Sequence, residues 1–280
     1  MGGFAVDLQD EFQKTVLAPE GRMDLARAGL LVSRLAYPDL DEPALMAQLD
    51  DLGARLRAKV SGLRGAVAIA RAMGRLLCKE DGFRGNSKDY YDPDNSYLNC
   101  VLERRTGIPI TLSLLYMEVG RRAGLDVRGI GMPGHFLVGV YEKEERIFLD
   151  PFYSGTVLNE KECRRRAAVQ HQGALVWNSR FLEPSEEKAM IVRLLRNLRA
   201  IYGNLGDVAR SLQALEWIIA LAPDAATEYK TRGFLSVSLG AFESAVKDLE
   251  KYIALQPDAP DALYVQATID RLTRTRTTLH

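Results

Sequence analysis

The 280-residue chain balances 37 basic against 37 acidic residues, and 47% of it is apolar. A neutral total gives no electrostatic reason to expect nucleic acid or an acidic membrane as partner, and the apolar share is that of a globular protein. Three scattered cysteines, Cys78, Cys100 and Cys163, form no CxxC pair, which excludes a disulfide framework and fits a reducing compartment. Taken in order, the N-terminal MGGFAVDLQDEF lacks the basic-then-apolar pattern of an export signal, and Val6 breaks the myristoylation pattern. No later apolar run is long enough to span a bilayer, so a cytoplasmic protein is expected.

Residues 22–80 predict helices. In RMDLARAGLLVSRLAYP, Leu25, Ala28, Leu31 and Leu35 keep helical spacing until Pro38 stops it. A second helix follows Pro43, with Leu45, Leu49, Leu52 and Leu56 on one face, and a third spans roughly 62–78. GFRGNSKDYYDPDNSYLN then marks an ordered loop, with Ser96 placed to cap a short helix over 97–105 that Gly107 ends. The next helix, about 109–123, is apolar on nearly all sides in its first three turns and therefore belongs in a core. Arg121 and Arg122 suit the negative end of its dipole, and Gly124 stops it.

The period then changes to two. Residues 126–132 and 136–141 read as strands, EKEE at 142–145 as a polar turn, and RIFLD as the start of a further strand. From about 186 the chain is helical again and repeats itself. LAPDA at 221–225 recurs as LQPDA at 255–259, and NLGDVARSLQALEWIIAL aligns with SLGAFESAVKDLEKYIAL at the same offset of 34 residues. A helix–turn–helix period of that length is the tetratricopeptide signature. Gly206 and Gly240 are expected to allow tight turns and close helix approach, and Pro223 and Pro257 to end each second helix.

Chemistry centres on GMPGHFLVGVY, where His135, one of three histidines, opens a strand. Asp150 ends the next strand, so a hairpin would set the two side by side, and the buried helix starting near Pro109 would aim its N-terminus at the same point. A base, its orienter and a helix N-terminus are what acyl transfer by a cysteine or serine requires. The order GIPITLSLLYMEVGRRAGLDVRGIG…GHFLVGV…IFLDPF resembles the transglutaminase-like core. With GFRGN, YYDPDNSYLN and VLERRTGIPITLS, the chain is similar to the bacterial SirB-type transglutaminase-like/tetratricopeptide family over roughly 8–275. The resemblance implies an α+β fold: mostly helical, with a transglutaminase-like (papain-like) core holding a small antiparallel sheet, then TPR-like repeats. The expected divisions are 1–80, 81–180 and 186–276. It also implies that His135 and Asp150 match the superfamily's base and orienter. Where that superfamily has Gly-x-Cys, this chain reads Gly107-Ile108-Pro109, and proline has no nucleophile.

Substitutes lie nearby. Thr111 and Ser113 stand on the first turns of the same helix, but their hydroxyls lack a thiol's acidity, and Ser113 is expected to satisfy a carbonyl within the helix. Cys100 falls mid-helix, without activation by a helix dipole. Asn95, Ser96, Asn99, Glu103 and Arg104 are candidates to line a pocket beside His135; their alternative roles are structural, as turn, cap and Glu–Arg pair. Asp150 can also bond its own backbone at the strand end. His171 and His280 show no partners, and the RRR run at 164–166 reads as a solvated helix face. GIGMPG fails as a dinucleotide loop, because Pro133 intrudes and a strand follows. No cofactor and no metal site are expected. The expectation is a non-catalytic or cryptically catalytic protein that binds a peptide or small polar ligand at the His135 pocket. A protein partner would dock through the repeats. The rivals are an active hydrolase or acyltransferase with a relocated nucleophile, and a scaffold with a closed pocket.

Overall fold

The computed structural model describes residues 3–16 and 23–278; His280 and the start of the MGGFAV segment lie outside them. The first 60 residues supply α1 (Gly3–Val16), α2 (Leu25–Ser33) and α3 (Glu42–Val60). Asp24 and Asp41 begin the latter two by accepting from the backbone N–H of Arg27 and Ala44, each satisfying a donor that no helical carbonyl reaches. The expected third helix divides into α4 (Ala66–Gly74) and a wider π turn over Arg75–Glu80. The winding changes at Gly74, where an added Cβ would lie 2.8 Å from the Gly155 carbonyl oxygen.

After β1 (Arg84–Gly85) come a 3-10 turn over Pro93–Ser96, α5 (Leu98–Arg104) and β2 (Thr106–Gly107), which pairs in parallel with β1. Ser96 does not cap α5. Tyr97 holds the N-cap position without a side-chain bond, and the Ser96 hydroxyl is buried with no partner. Nor does Gly107 end the helix: Arg105, left-handed at φ 60°, turns the chain two residues earlier, its guanidinium over the Phe83 ring. The turn lets the Arg105 carbonyl accept from the Arg84 N–H, which starts the β1–β2 pairing.

α6 (Pro109–Arg122) is the central helix, buried at every position from Pro109 to Gly120. Proline suits its first position, where no intrahelical acceptor exists for an N–H. Glu118, buried on this helix, is answered by Arg121 and Arg122, and Arg121 also pairs with Glu187. Gly124, at φ 82°, releases the chain into an antiparallel meander in the order β3 (Asp126–Ile130), β4 (Leu137–Glu142), β5 (Glu145–Asp150) and β6 (Thr156–Leu158). The β4–β5 turn is only Lys143–Glu144, shorter than the four residues expected, because Glu142 pairs with Glu145. α7 (Glu160–Gln170) opens with a capping box: Asn159 accepts from the Glu162 N–H and Glu162 from the Asn159 N–H. A 3-10 turn over Ser179–Leu182 leads to α8 (Glu187–Leu205), and the chain divides into two compact units between Leu194 and Leu195.

The C-terminal unit continues with α9 (Val208–Leu221), α10 (Ala226–Ser238), α11 (Phe242–Leu255) and α12 (Ala262–Thr278). α10 and α11 pack with α12 around Leu249, Tyr252, Val265 and Ile269. Gly206 and Gly240 hold equivalent left-handed turns at φ 74° and 75°, but nothing lies within 4 Å of a Cβ built on either. Their conformation is therefore the reason for glycine, not close helix approach. The close approach is at Gly233, where a Cβ would meet Leu249 at 2.8 Å. Among the described residues no helix is long and apolar enough to cross a membrane.

Candidate functional site

The hairpin register builds the site. Val138 pairs with Leu149 across β4 and β5, so His135, just before β4, and Asp150, the last residue of β5, fall at the same end of the sheet. His135 Nε2 donates to Asp150 Oδ2 at 2.9 Å. Arg166, on α7, donates to the same oxygen at 2.7 Å. The other carboxylate oxygen accepts from the Tyr153 N–H at 3.2 Å, so Asp150 orients the imidazole and closes its own turn at once. Asp150 is fully buried and His135 is 8% exposed. An aspartate that deep is tolerable because a cation and two further donors satisfy it.

Met132-Pro133-Gly134-His135 is a tight turn closed by the His135 N–H on the Met132 carbonyl, with Gly134 at φ 72°. Proline and glycine in that order are what such a turn demands. Arg193 clamps the turn from α8, donating to the carbonyls of Met132 and His135 at 3.3 and 2.9 Å and lying over the Phe136 ring. Burial holds the Arg193 pKa below the usual arginine value. Gln170 and His171 bond the carbonyls of Gly134 and Pro133 from the other side, so His171 has a structural partner that its sequence context did not suggest. Phe152 packs edge-on and Tyr153 tilted against the His135 ring, at centroid separations of 6.2 and 5.7 Å.

With Nε2 engaged by Asp150, Nδ1 is left without a partner among the described residues. The imidazole edges a pocket of about 530 Å³, whose other walls come from Tyr153, Met132 and the α7 residues Arg165, Arg166, Val169 and Gln170. That volume is in the range of small-molecule and peptide-residue sites. A dyad with one ring nitrogen held by a buried carboxylate can orient a neutral imidazole, or stabilise a charged one.

Residues 43–196 match the transglutaminase-like superfamily, and 198–270 match a tetratricopeptide repeat family. A UPF0162 protein of Xylella fastidiosa (strain Temecula1) is 33% identical over 92% of this chain and 93% of its own length. The chain belongs to the UPF0162 family of transglutaminase-like proteins. A UPF0162 protein of Vibrio cholerae is 26% identical over 92% of this chain and 96% of its own length. Human F-box only protein 21 is 32% identical over 56% of this chain, a match to 26% of that longer protein.

In this UPF0162 chain the remaining sequence candidates scatter. Pro109 is the buried first residue of α6. Thr111 donates its hydroxyl to the Asn95 carbonyl at 2.7 Å. Ser113 reaches across to the Phe136 carbonyl at 3.5 Å, an acceptor outside its own helix, contrary to expectation. Cys100 is buried beside the Tyr37 hydroxyl, and burial raises its pKa, with Asp94 adding to the rise. Among the described residues no hydroxyl or thiol bonds the His135 ring.

The five loop candidates do not face that pocket. Asn95 is a knot: its Oδ1 accepts from Asn86, and its Nδ2 donates to the carbonyls of Asp89 and Tyr90. Arg104 pairs with Asp92 and Asp94, not with Glu103. Asn99 and Glu103 line a separate cleft of about 860 Å³ against α3, with Leu45, Leu52 and Arg105. The solvated reading of RRR fails at one position, since Arg166 is half-buried on Asp150. Arg165, Arg166 and Gln170 were missed because nothing local tells which α7 residues face the strand end at Asp150, 16 positions before Arg166. Among the described residues no cluster of three or more His, Cys, Asp or Glu could hold a metal ion.

Proposed function

We propose that this transglutaminase-like chain is a binding protein whose His135 pocket holds a peptide or small polar ligand, while its tetratricopeptide-like helices dock a protein partner. The observation that carries the reading is an intact base–orienter pair with no nucleophile on it: Asp150 holds His135, and no hydroxyl or thiol bonds the ring among the described residues. Pro109 stands where the superfamily would place its cysteine, and a proline at that helix start has nothing to ionise. The nearest substitutes are otherwise engaged. Thr111 and Ser113 give their protons to carbonyls, and Cys100 is buried with a raised pKa that disfavours the thiolate. Partner docking rests on the repeat architecture, which presents Leu239, Phe242, Leu263 and Tyr264 to solvent.

The test has two parts. The full chain is incubated with a fluorophosphonate and with iodoacetamide, beside His135→Ala. The expected result is no labelling that depends on His135. A single labelled residue whose reaction disappears in His135→Ala would reject the binding reading in favour of a relocated nucleophile. The chain is then immobilised and offered random tetrapeptides. Retention that is lost in His135→Ala, and in Val169→Asp at the exposed pocket rim, is the outcome the reading requires.

A further inference from the structure

The His135 pocket is cationic, and its charge is unbalanced. No aspartate or glutamate stands on its wall. The one carboxylate near it, Asp150, lies fully buried behind the imidazole and is spent on His135, Arg166 and the Tyr153 N–H. Arg166 brings five N–H donors, of which one nitrogen reaches Asp150. Arg165, one residue earlier on the same wall, has no acidic partner among the described residues. Two guanidiniums on the wall, with no carboxylate beside them there, make the pocket cationic. Around it the surface is apolar: Met132, Val169 (75% exposed) and the Tyr153 ring (56% exposed), over which Arg166 lies at 5.3 Å.

A cationic wall matches an anion, and the helix geometry favours a monoanion over a doubly charged phosphate. Arg165, Arg166, Val169 and Gln170 occupy the last turns of α7, whose carbonyl end carries partial negative charge and repels a dianion more than a monoanion. A guanidinium presents paired N–H groups at the spacing of a carboxylate's two oxygens. We propose that the pocket recognises a peptide through a carboxylate, held by Arg165 and Arg166 beside His135, with an apolar side chain against Tyr153, Val169 and Met132. This rests on the reading that the pocket binds a peptide, and adds the chemical group it selects.

The test uses three tetrapeptide pools on the immobilised full chain. One has free C-terminal carboxylates and no Asp or Glu, one is amidated but contains Asp and Glu, and one is amidated without acidic residues. The expected result is retention of a carboxylate-bearing pool over the uncharged pool by about tenfold or more, lost in Arg165→Glu and in Val169→Asp. Circular dichroism melts identical to the parent would show that both variants remain folded. Preference for the first pool assigns the group to a peptide terminus, and preference for the second to an acidic side chain; either supports the proposal. Equal retention of all three pools, unaffected by Arg165→Glu but lost in Val169→Asp, would overturn carboxylate recognition and leave the binding reading intact. Stronger competition by inorganic phosphate than by acetate at equal ionic strength would overturn it in favour of a phosphoryl ligand. No retention of any pool would overturn both.

Discussion

Two polar clusters sit in the N-terminal unit, each around one buried side chain, and are put to different use. Every polar group of Asn95 is answered from within. The side chain bonds Asn86, Asp89 and Tyr90, and its carbonyl accepts from the Ile108 N–H and the Thr111 hydroxyl. Around Asp150 the carboxylate is equally satisfied, but the groups that satisfy it keep capacity to spare: an imidazole nitrogen, and guanidinium donors on a pocket wall. A buried polar cluster closed on itself is scaffold; one whose members retain unused donors at a cavity is a site. Asn95 and Asp150 are equally buried, so burial alone does not separate the two clusters.

The comparison can be broken by substitution. Asp150→Leu has the largest expected effect. It strands a half-buried arginine and an imidazole, and it should cost about 3 kcal/mol by urea denaturation. Asn95→Ala should cost about 2 kcal/mol, because it orphans two loop carbonyls, yet peptide retention per folded molecule should be unchanged. Reduced retention by the folded Asn95→Ala chain would erase the distinction between the clusters. Thr111→Val, close in shape, should cost about 1 kcal/mol and leave fluorophosphonate behaviour as in the parent; a change there would make Thr111 a nucleophile. Arg165→Glu should move stability by less than about 0.5 kcal/mol while abolishing retention, the reverse of the Asn95 pattern.

A further, smaller effect comes from Cys163 and is absent at neutral pH. Cys163, buried on α7 one turn before Arg166, has its thiol pushed up to about 12 by burial. The unfolded thiol ionises first, near its ordinary pKa. Stability tied to this group is therefore complete at neutral pH, and declines as pH rises from about 9 toward the folded value. Urea midpoints at successive alkaline pH values should fall less steeply in Cys163→Ala. Parallel curves would show that Cys163 carries none of the alkaline loss.

Much of this fold was legible because it is periodic. The apolar circumference of α6, the short apolar runs of β4 and β5 on either side of a polar turn, and the 34-residue repeat each predict their own element. His135 and Asp150 were legible together because a hairpin is a local device. What stayed hidden is set by distant packing. The end of α5 depends on Arg105 turning left-handed over Phe83, and a two-residue pairing such as β1–β2 has no period to read. The α7 residues reach Asp150 only after β6 and the Asn159 capping box have fixed the helix direction, and that information is not held in the RRR run itself.

The two-residue turn at Lys143–Glu144 has a practical consequence. Pairing on its inner side, from Glu142 with Glu145 down to Val138 with Leu149, is what delivers the imidazole to its carboxylate. A residue gained or lost within either strand would rotate one partner to the opposite face of the sheet. The exposed tip carries no such constraint and can lengthen without altering that alignment. It is therefore the place to splice in a fluorescent or epitope tag that reports on the occupied protein while leaving the dyad undisturbed.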